Sequence, residues 1–277
     1  MEEHELNDGF EWCEREGPFR LISEEQAVAY NRDGYFVMED VFDDETVNGL
    51  LTELDPLEDE GAEFLREHLG GKAFIARADE ITFTPHAVTR SPLANAFTRS
   101  QFFQGLSHDL LGPDVRLYWD QLVYKKPGNP EIFPWHQDNG YTFIKPQQYL
   151  TCWIAFSDAD EENGCPWVIP GAHRVGTYAH HMTELGWACT DEEVEQRVAA
   201  PVRKGGVVVF SSLTPHMTGP NLTDRLRKTY IVQYAPDGAN VITVVDGEQV
   251  AVPCSAPDRQ YSILVEGEPV GRNESSA

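Results

Sequence analysis

The run Pro134-Trp135-His136-Gln137-Asp138-Asn139-Gly140, read together with the distant His216, restricts this chain more than any other feature. In an extended segment, residues two apart project to the same side, so His136 and Asp138 can meet one ion while Gln137 points away. His216 lies 78 residues after Asp138, in Thr214-Pro215-His216-Met217-Thr218-Gly219, and has to arrive from another strand or from the loop after a buried one. A barrel, whose distant strands share one interior, meets that demand. Two imidazoles and one carboxylate form the facial set that holds ferrous iron with three positions open, unlike the closed four-ligand sites of structural zinc. The tripeptide alone is common, and a turn-capping His136, a backbone-bound Asp138 and a core His216 explain the same letters.

The surrounding pattern supplies the walls. Ser23-Glu24-Glu25-Gln26 has the form of a capping box and predicts a helix to about Asn31, followed by a strand over Tyr35–Met38. Asp43-Asp44 caps a second helix that runs to Pro56, residues 57–72 offer a further helical face, and Leu93 to Leu111 reads as one helix. From Val115 the periodicity changes to strands: 115–126, 149–156, 167–169, 206–210 and 228–234, with a closing hairpin of 241–245 and 249–252 around Asp246-Gly247. Helices first and short strands after predict a single α+β, mainly β domain. It divides into an irregular arm over 1–20, a mostly helical scaffold over 21–112, a barrel or jelly-roll core over 113–252 and a tail over 253–277.

Charge and cysteines exclude several classes. A formal charge of −25 repels phosphate backbones, which argues against a nucleic-acid partner. Five cysteines without a C-x-x-C pair argue against a disulfide framework or zinc site, and neither a long apolar run nor a basic leader is seen. The expectation is a cytoplasmic protein with a small-molecule partner and no membrane contact; the sequence leaves its oligomeric state open.

Arg225 and Arg227 fall on one face of the strand that follows His216, where alternation also places Thr229, Ile231 and Gln233. An arginine buried beside a metal needs an anion, and a guanidinium binds a carboxylate bidentately. Spacing does not choose between the two arginines. Tyr141 and Phe143 follow the His-x-Asp run closely enough to line a pocket, and His173 and His86 are further candidates for substrate contact. His180-His181 reads as a solvated loop, and residues 172–200 as a possible lid.

Taken together, Pro134 to Asp138, Thr151-Cys152-Trp153-Ile154-Ala155-Phe156, the stretch Glu162 to Arg174, and His216-x-x-Gly219-Pro220-Asn221 with Arg227-Lys228 resemble the phytanoyl-CoA dioxygenase family over about residues 20–240. The resemblance implies a double-stranded β-helix with flanking N-terminal helices and a hydroxylase that uses Fe(II), 2-oxoglutarate and O2, releasing succinate and CO2. It implies that His136, Asp138 and His216 are the iron ligands and that Arg227, rather than Arg225, holds the distal carboxylate of 2-oxoglutarate. Trp153, and Gln121 or Leu122, match positions that line the co-substrate. Asp138 stands where related halogenases carry a small residue, which implies hydroxylation. The reading from another class is a cupin-like binding or sensor protein that keeps a metal without turnover.

Overall fold

Ser23 begins the ordered body as the sequence predicts: its hydroxyl accepts from the Gln26 amide while the Gln26 side chain accepts from the Ser23 amide, and the helix Glu24–Asp33 ends at Gly34 in the left-handed region. The computed structural model describes residues 1–271. A second helix, Asp44–Leu69, is capped by Asp43 and runs straight through Pro56 rather than stopping there. Proline removes one intrahelical bond. Here the buried stripe Val47, Leu50, Leu54, Leu57, Ala62 and Leu65 continues across it, and that burial outweighs the lost bond. The single helix expected over 93–111 is two, Pro92–Phe97, capped by Ser91, whose hydroxyl accepts from the Ala94 amide, and Gln101–Leu111, which follows Ser100 without a side-chain capping bond.

Two of the sheets face each other. The larger follows the order Tyr35–Met38, Val207–Ser211, Leu150–Ala155, Arg227–Pro236, Val115–Lys125 and Ile81–Pro85, then the short hairpin strands Ala76–Arg77 and Lys72–Ala73. The smaller runs Val198–Ala199, Pro166–Val168, His216–Thr218, Phe133–His136. Neighbours in both are antiparallel and, outside the 72–85 hairpins, far apart in sequence, which is the winding of a double-stranded β-helix, or jelly roll. Helices cover the outer face of the larger sheet, where Leu150, Cys152, Ile154, Val207, Val209, Tyr230, Val232 and Tyr234 pack with Leu50, Leu54, Phe103 and Leu106. Alternate residues of the same strands, Trp153, Ala155, Val208 and Phe210, face inward.

Two departures from the sequence reading concern the sheet's edges. Residues 253–271 are not a tail, because Ser262–Val265 pairs with the start of the Val115–Lys125 strand. The region read as helical also gives the larger sheet an edge made of Ile81–Pro85 and the 72–77 hairpin, opposite the edge formed by the expected strand Tyr35–Met38. The terminal hairpin Asn240–Val245 and Glu248–Pro253 turns on Asp246 and Gly247, both at positive φ, as an Asp-Gly two-residue turn requires. The arm over 1–20 is irregular and tied down by the bridge Glu3 to Tyr178 and by Trp12, which packs on Tyr30 and His173.

Candidate metal and co-substrate site

His136 ends one strand of the smaller sheet and His216 begins its neighbour; the two are direct partners across the antiparallel pair, with ring centroids 4.1 Å apart. Each imidazole uses Nδ1 on a carbonyl two residues back in its own strand or turn, Pro134 at 2.8 Å and Thr214 at 3.0 Å. A carbonyl only accepts, so Nδ1 carries the hydrogen in both rings and Nε2 is left with its lone pair, the tautomer a metal ligand needs. Burial, and then the nearby His216, drives the pKa of His136 well below the usual histidine range, which keeps it neutral.

Asp138 completes the cluster from a different element than expected. The strand stops at His136, Gln137 stays extended (φ −109°, ψ 145°), and Asp138 opens a single helical turn, Asp138–Tyr141. The extended Gln137 is enough to bring the two flanking side chains to one side. Its own side chain points away and donates to the carbonyls of Gly176 and Leu213 while accepting from the Tyr178 amide. One ligand atom from each of His136, Asp138 and His216 lies within 4.8 Å of the others. Asp138 Oδ1 is 3.8 Å from His216 Nε2, and Oδ2 accepts from the Thr151 hydroxyl at 2.5 Å, which leaves one oxygen aimed at the histidines.

Behind this cluster stands Arg227, fully buried on the Arg227–Pro236 strand. Its guanidinium lies 5.2 Å from the Trp153 ring and donates from Nη1 to Thr229 at 2.7 Å, but Nε and Nη2 have no partner among the described residues. Burial lowers its pKa to about 10, which still leaves it charged at neutral pH. A buried cation with two unpaired donors is costly, and a planar carboxylate reaching it would satisfy both. Its strand partner Lys125 is also buried, and burial, then Arg227, lowers its pKa to about 7. Lys125 differs in being paired: its ammonium donates to the carbonyls of Glu131, Thr218 and Gly219. Arg225 is exposed near Asp160 and takes no part.

The three ligands, Arg227, Trp153 and Gln121 line one cavity of about 640 Å³. Leu122 does not. It faces the helices on the opposite side of its strand, so of the pair 121 and 122 the structure brings Gln121 to the site. Tyr141 lines the cavity beside His136, whereas Phe143 turns away and packs on His4. His173 is buried under Trp12 and reaches the Asn31 carbonyl with Nε2, a structural post between arm and helix. His86 lies against Trp119 and does not reach the cavity. His180 is no solvated loop residue: it accepts from the Gln137 amide at 2.9 Å and sits so close to Gly140 that a Cβ there would fall 2.0 Å from its ring. The segment holding it does supply cover, since Trp187 lines the cavity. A wider surface cleft of about 760 Å³ runs among Arg77, Glu131 and Glu192, on the other side of these strands from the triad.

Sequence reasoning missed several lining residues. Thr151 shares a strand face with Trp153, so alternation could have found it. Tyr118 and Trp119, which are adjacent in sequence, both line the cavity because a register shift opposite Gln233 and Tyr234 inserts an extra residue there. Phe64, Leu69, Phe74 and Ile75 form the mouth; Phe64 and Leu69 read only as part of a helical face in an acidic stretch, and nothing marked the other two.

An open His-Asp-His cluster within a β-helix that also buries a charge-seeking arginine defines the class of non-haem-iron, 2-oxoglutarate-dependent oxygenases, and the donor set fits iron. The chain belongs to the phytanoyl-CoA dioxygenase family, whose model matches residues 30–229. It is 27% identical over 172 residues to phytanoyl-CoA dioxygenase domain-containing protein 1 of Danio rerio, a match covering 58% of this chain and 59% of that relative, less than two thirds of its length. It is 24% identical over 247 residues to a phytanoyl-CoA dioxygenase of Arabidopsis thaliana, covering 76% of this chain and 87% of that one. Among solved structures the epimerase SnoN, in complex with Fe3+, alpha ketoglutarate and nogalamycin RO, shares the fold with a TM-score of 0.67 at 22% identity, over 87% of this chain and 98% of its own. Among the described residues no helix is long and apolar enough to cross a membrane.

Proposed function

We propose that this chain hydroxylates a C–H bond of a small molecule with Fe(II), 2-oxoglutarate and O2, and that His136, Asp138, His216 and Arg227 carry the reaction's cofactor and co-substrate. The observation that supports this most is the pair of unpartnered N–H positions on Arg227, buried in the same cavity as the three ligands. A protein that merely kept a metal would have no use for that cation. Bound iron supplies oxygen activation coupled to decarboxylation of 2-oxoglutarate to succinate and CO2.

The chain's own groups position and shield. His136 and His216 offer Nε2, locked by their Nδ1 bonds, and Asp138 offers the oxygen that Thr151 leaves free. Arg227 takes the distal carboxylate of 2-oxoglutarate, Trp153 forms the wall beside it, and Gln121 supplies a neutral polar contact. With Asp138 filling the third protein position, hydroxyl transfer rather than halide transfer is the outcome. The size of the cavity suits a small-molecule substrate, and five free cysteines, four of them buried, suit the reducing cytoplasm.

Anaerobic addition of Fe(II) and 2-oxoglutarate is expected to raise a visible charge-transfer band, absent in His136→Ala, and admission of O2 to release succinate. A band that persists in His136→Ala would sink the ligand assignment; wild-type protein that binds both without succinate release would sink the enzyme reading.

A further inference from the structure

From the substrate half of the cavity we infer that the substrate is an uncharged, largely apolar molecule entering between the end of the Asp44–Leu69 helix and the 72–77 hairpin. This rests on the reading of Arg227 as the co-substrate anchor. Among the described residues, Arg227 is the only lysine or arginine that lines the cavity and Asp138 the only carboxylate. Once 2-oxoglutarate holds the first and iron the second, nothing charged is left to recognise a phosphate, phosphonate, carboxylate or ammonium group. Burying such a group without a partner works against binding, because its lost hydration is not replaced.

What remains is apolar or neutral. Ile75, Ile81, Phe83, Phe133 and Trp187 line the approach, with Tyr141 as a neutral hydrogen-bonding group beside His136. The mouth continues the same chemistry to the surface. Phe64, Leu69 and Phe74 are 54%, 47% and 62% exposed, an arrangement the fold does not need, since Leu65 and Ala76 already seal that corner. Large apolar side chains left in water next to an apolar cavity mark a binding surface. The −25 charge of the chain works against an anionic substrate as well.

The test uses three probes on the same ten-carbon chain with compact head groups of different charge: 1-decanol, decanoate and decylammonium. Each is titrated into anaerobic protein loaded with Fe(II) and 2-oxoglutarate. Binding is read by quenching of tryptophan fluorescence, for which Trp119, Trp153 and Trp187 line the cavity. Decanol is expected to bind saturably at least 10-fold tighter than either ion, and Phe64→Ser combined with Phe74→Ser to weaken it at least 10-fold while leaving 2-oxoglutarate binding unchanged. Tighter binding of decanoate or of the ammonium probe, or no weakening in the double variant, would overturn the inference. Loading is scored beforehand by the charge-transfer band, so failure of the iron reading is seen separately. The titration is repeated on Arg227→Ala, whose cavity has no cation, and there the same order of the three probes is expected whatever the fate of 2-oxoglutarate.

Discussion

One strand, Arg227–Pro236, presents two chemistries on its two faces. Toward the helices, Tyr230, Val232 and Tyr234 are close-packed, and their polar atoms are paired: the Tyr230 hydroxyl donates to Asp120 at 2.9 Å and the Tyr234 hydroxyl to the Thr98 carbonyl at 2.7 Å. Toward the cavity, Arg227, Ile231 and Gln233 meet space, and two donors of Arg227 are left unpaired. The helix-side face is built to hold the sheet together, and the cavity-side face is built to be completed by something else. A buried polar atom without a partner is a cost on the first face and a binding determinant on the second.

Substitutions on the two faces should therefore separate stability from binding. The largest effect is expected at Phe103, fully buried against Tyr234 and Phe42: Phe103→Ala should lose about 3–5 kcal/mol in urea unfolding while its folded fraction binds 2-oxoglutarate with unchanged affinity. Asp120 is next. Burial raises its pKa to about 6, and one of its oxygens lacks a partner. The fold thus favours the protonated form, so this residue's contribution is full below about pH 4 and is lost as pH rises through 6. Between pH 4 and 7 the wild type should lose about 2 kcal/mol relative to Asp120→Asn, measured as the difference between their unfolding curves.

On the cavity side, Arg227→Ala should leave the melting temperature unchanged or higher, because a half-paired buried charge is removed. Its affinity for 2-oxoglutarate by calorimetry should fall about 100-fold, the worth of a bidentate charge-assisted pair. A variant that loses stability as well as affinity would blur the distinction between the faces. The smallest effect is expected from Thr151→Val, which frees the second oxygen of Asp138; metal affinity should drop about 10-fold with little change in unfolding.

The two faces were not equally legible from the amino-acid sequence. The cluster of His136, Asp138 and His216 was legible because the chemistry needs those residue types at defined spacings, whereas spacing left Arg225 and Arg227 open and only the family resemblance favoured Arg227. Trp153 came through a family resemblance and Thr151 was within reach of simple alternation. Leu122 marks where that logic stopped: the extra residue at Tyr118–Trp119 shifts the parity of the strand, and which neighbour faces inward is fixed by tertiary pairing. His173 and Phe143 read as site residues because polar and aromatic types near a motif look functional. Their contacts to Trp12 and His4 depend on an irregular arm whose path no periodicity records. The helix running through Pro56 shows the same limit, since the buried surface that sustains it belongs to the sheet beneath.

The pairing of His136 with His216 has a consequence for how the centre is filled. Two of the three ligands are joined by a main-chain ladder, and their rings are held by carbonyls of their own segments. Their separation is thus a property of the sheet, set when the β-helix closes and independent of the ion. Metal entry then orders little beyond Asp138, so most of the conformational entropy is lost during folding rather than at loading. Amide exchange along these two strands should be as slow in chelated protein as in loaded protein, with the centre able to release and regain its ion without passing through an unfolded state.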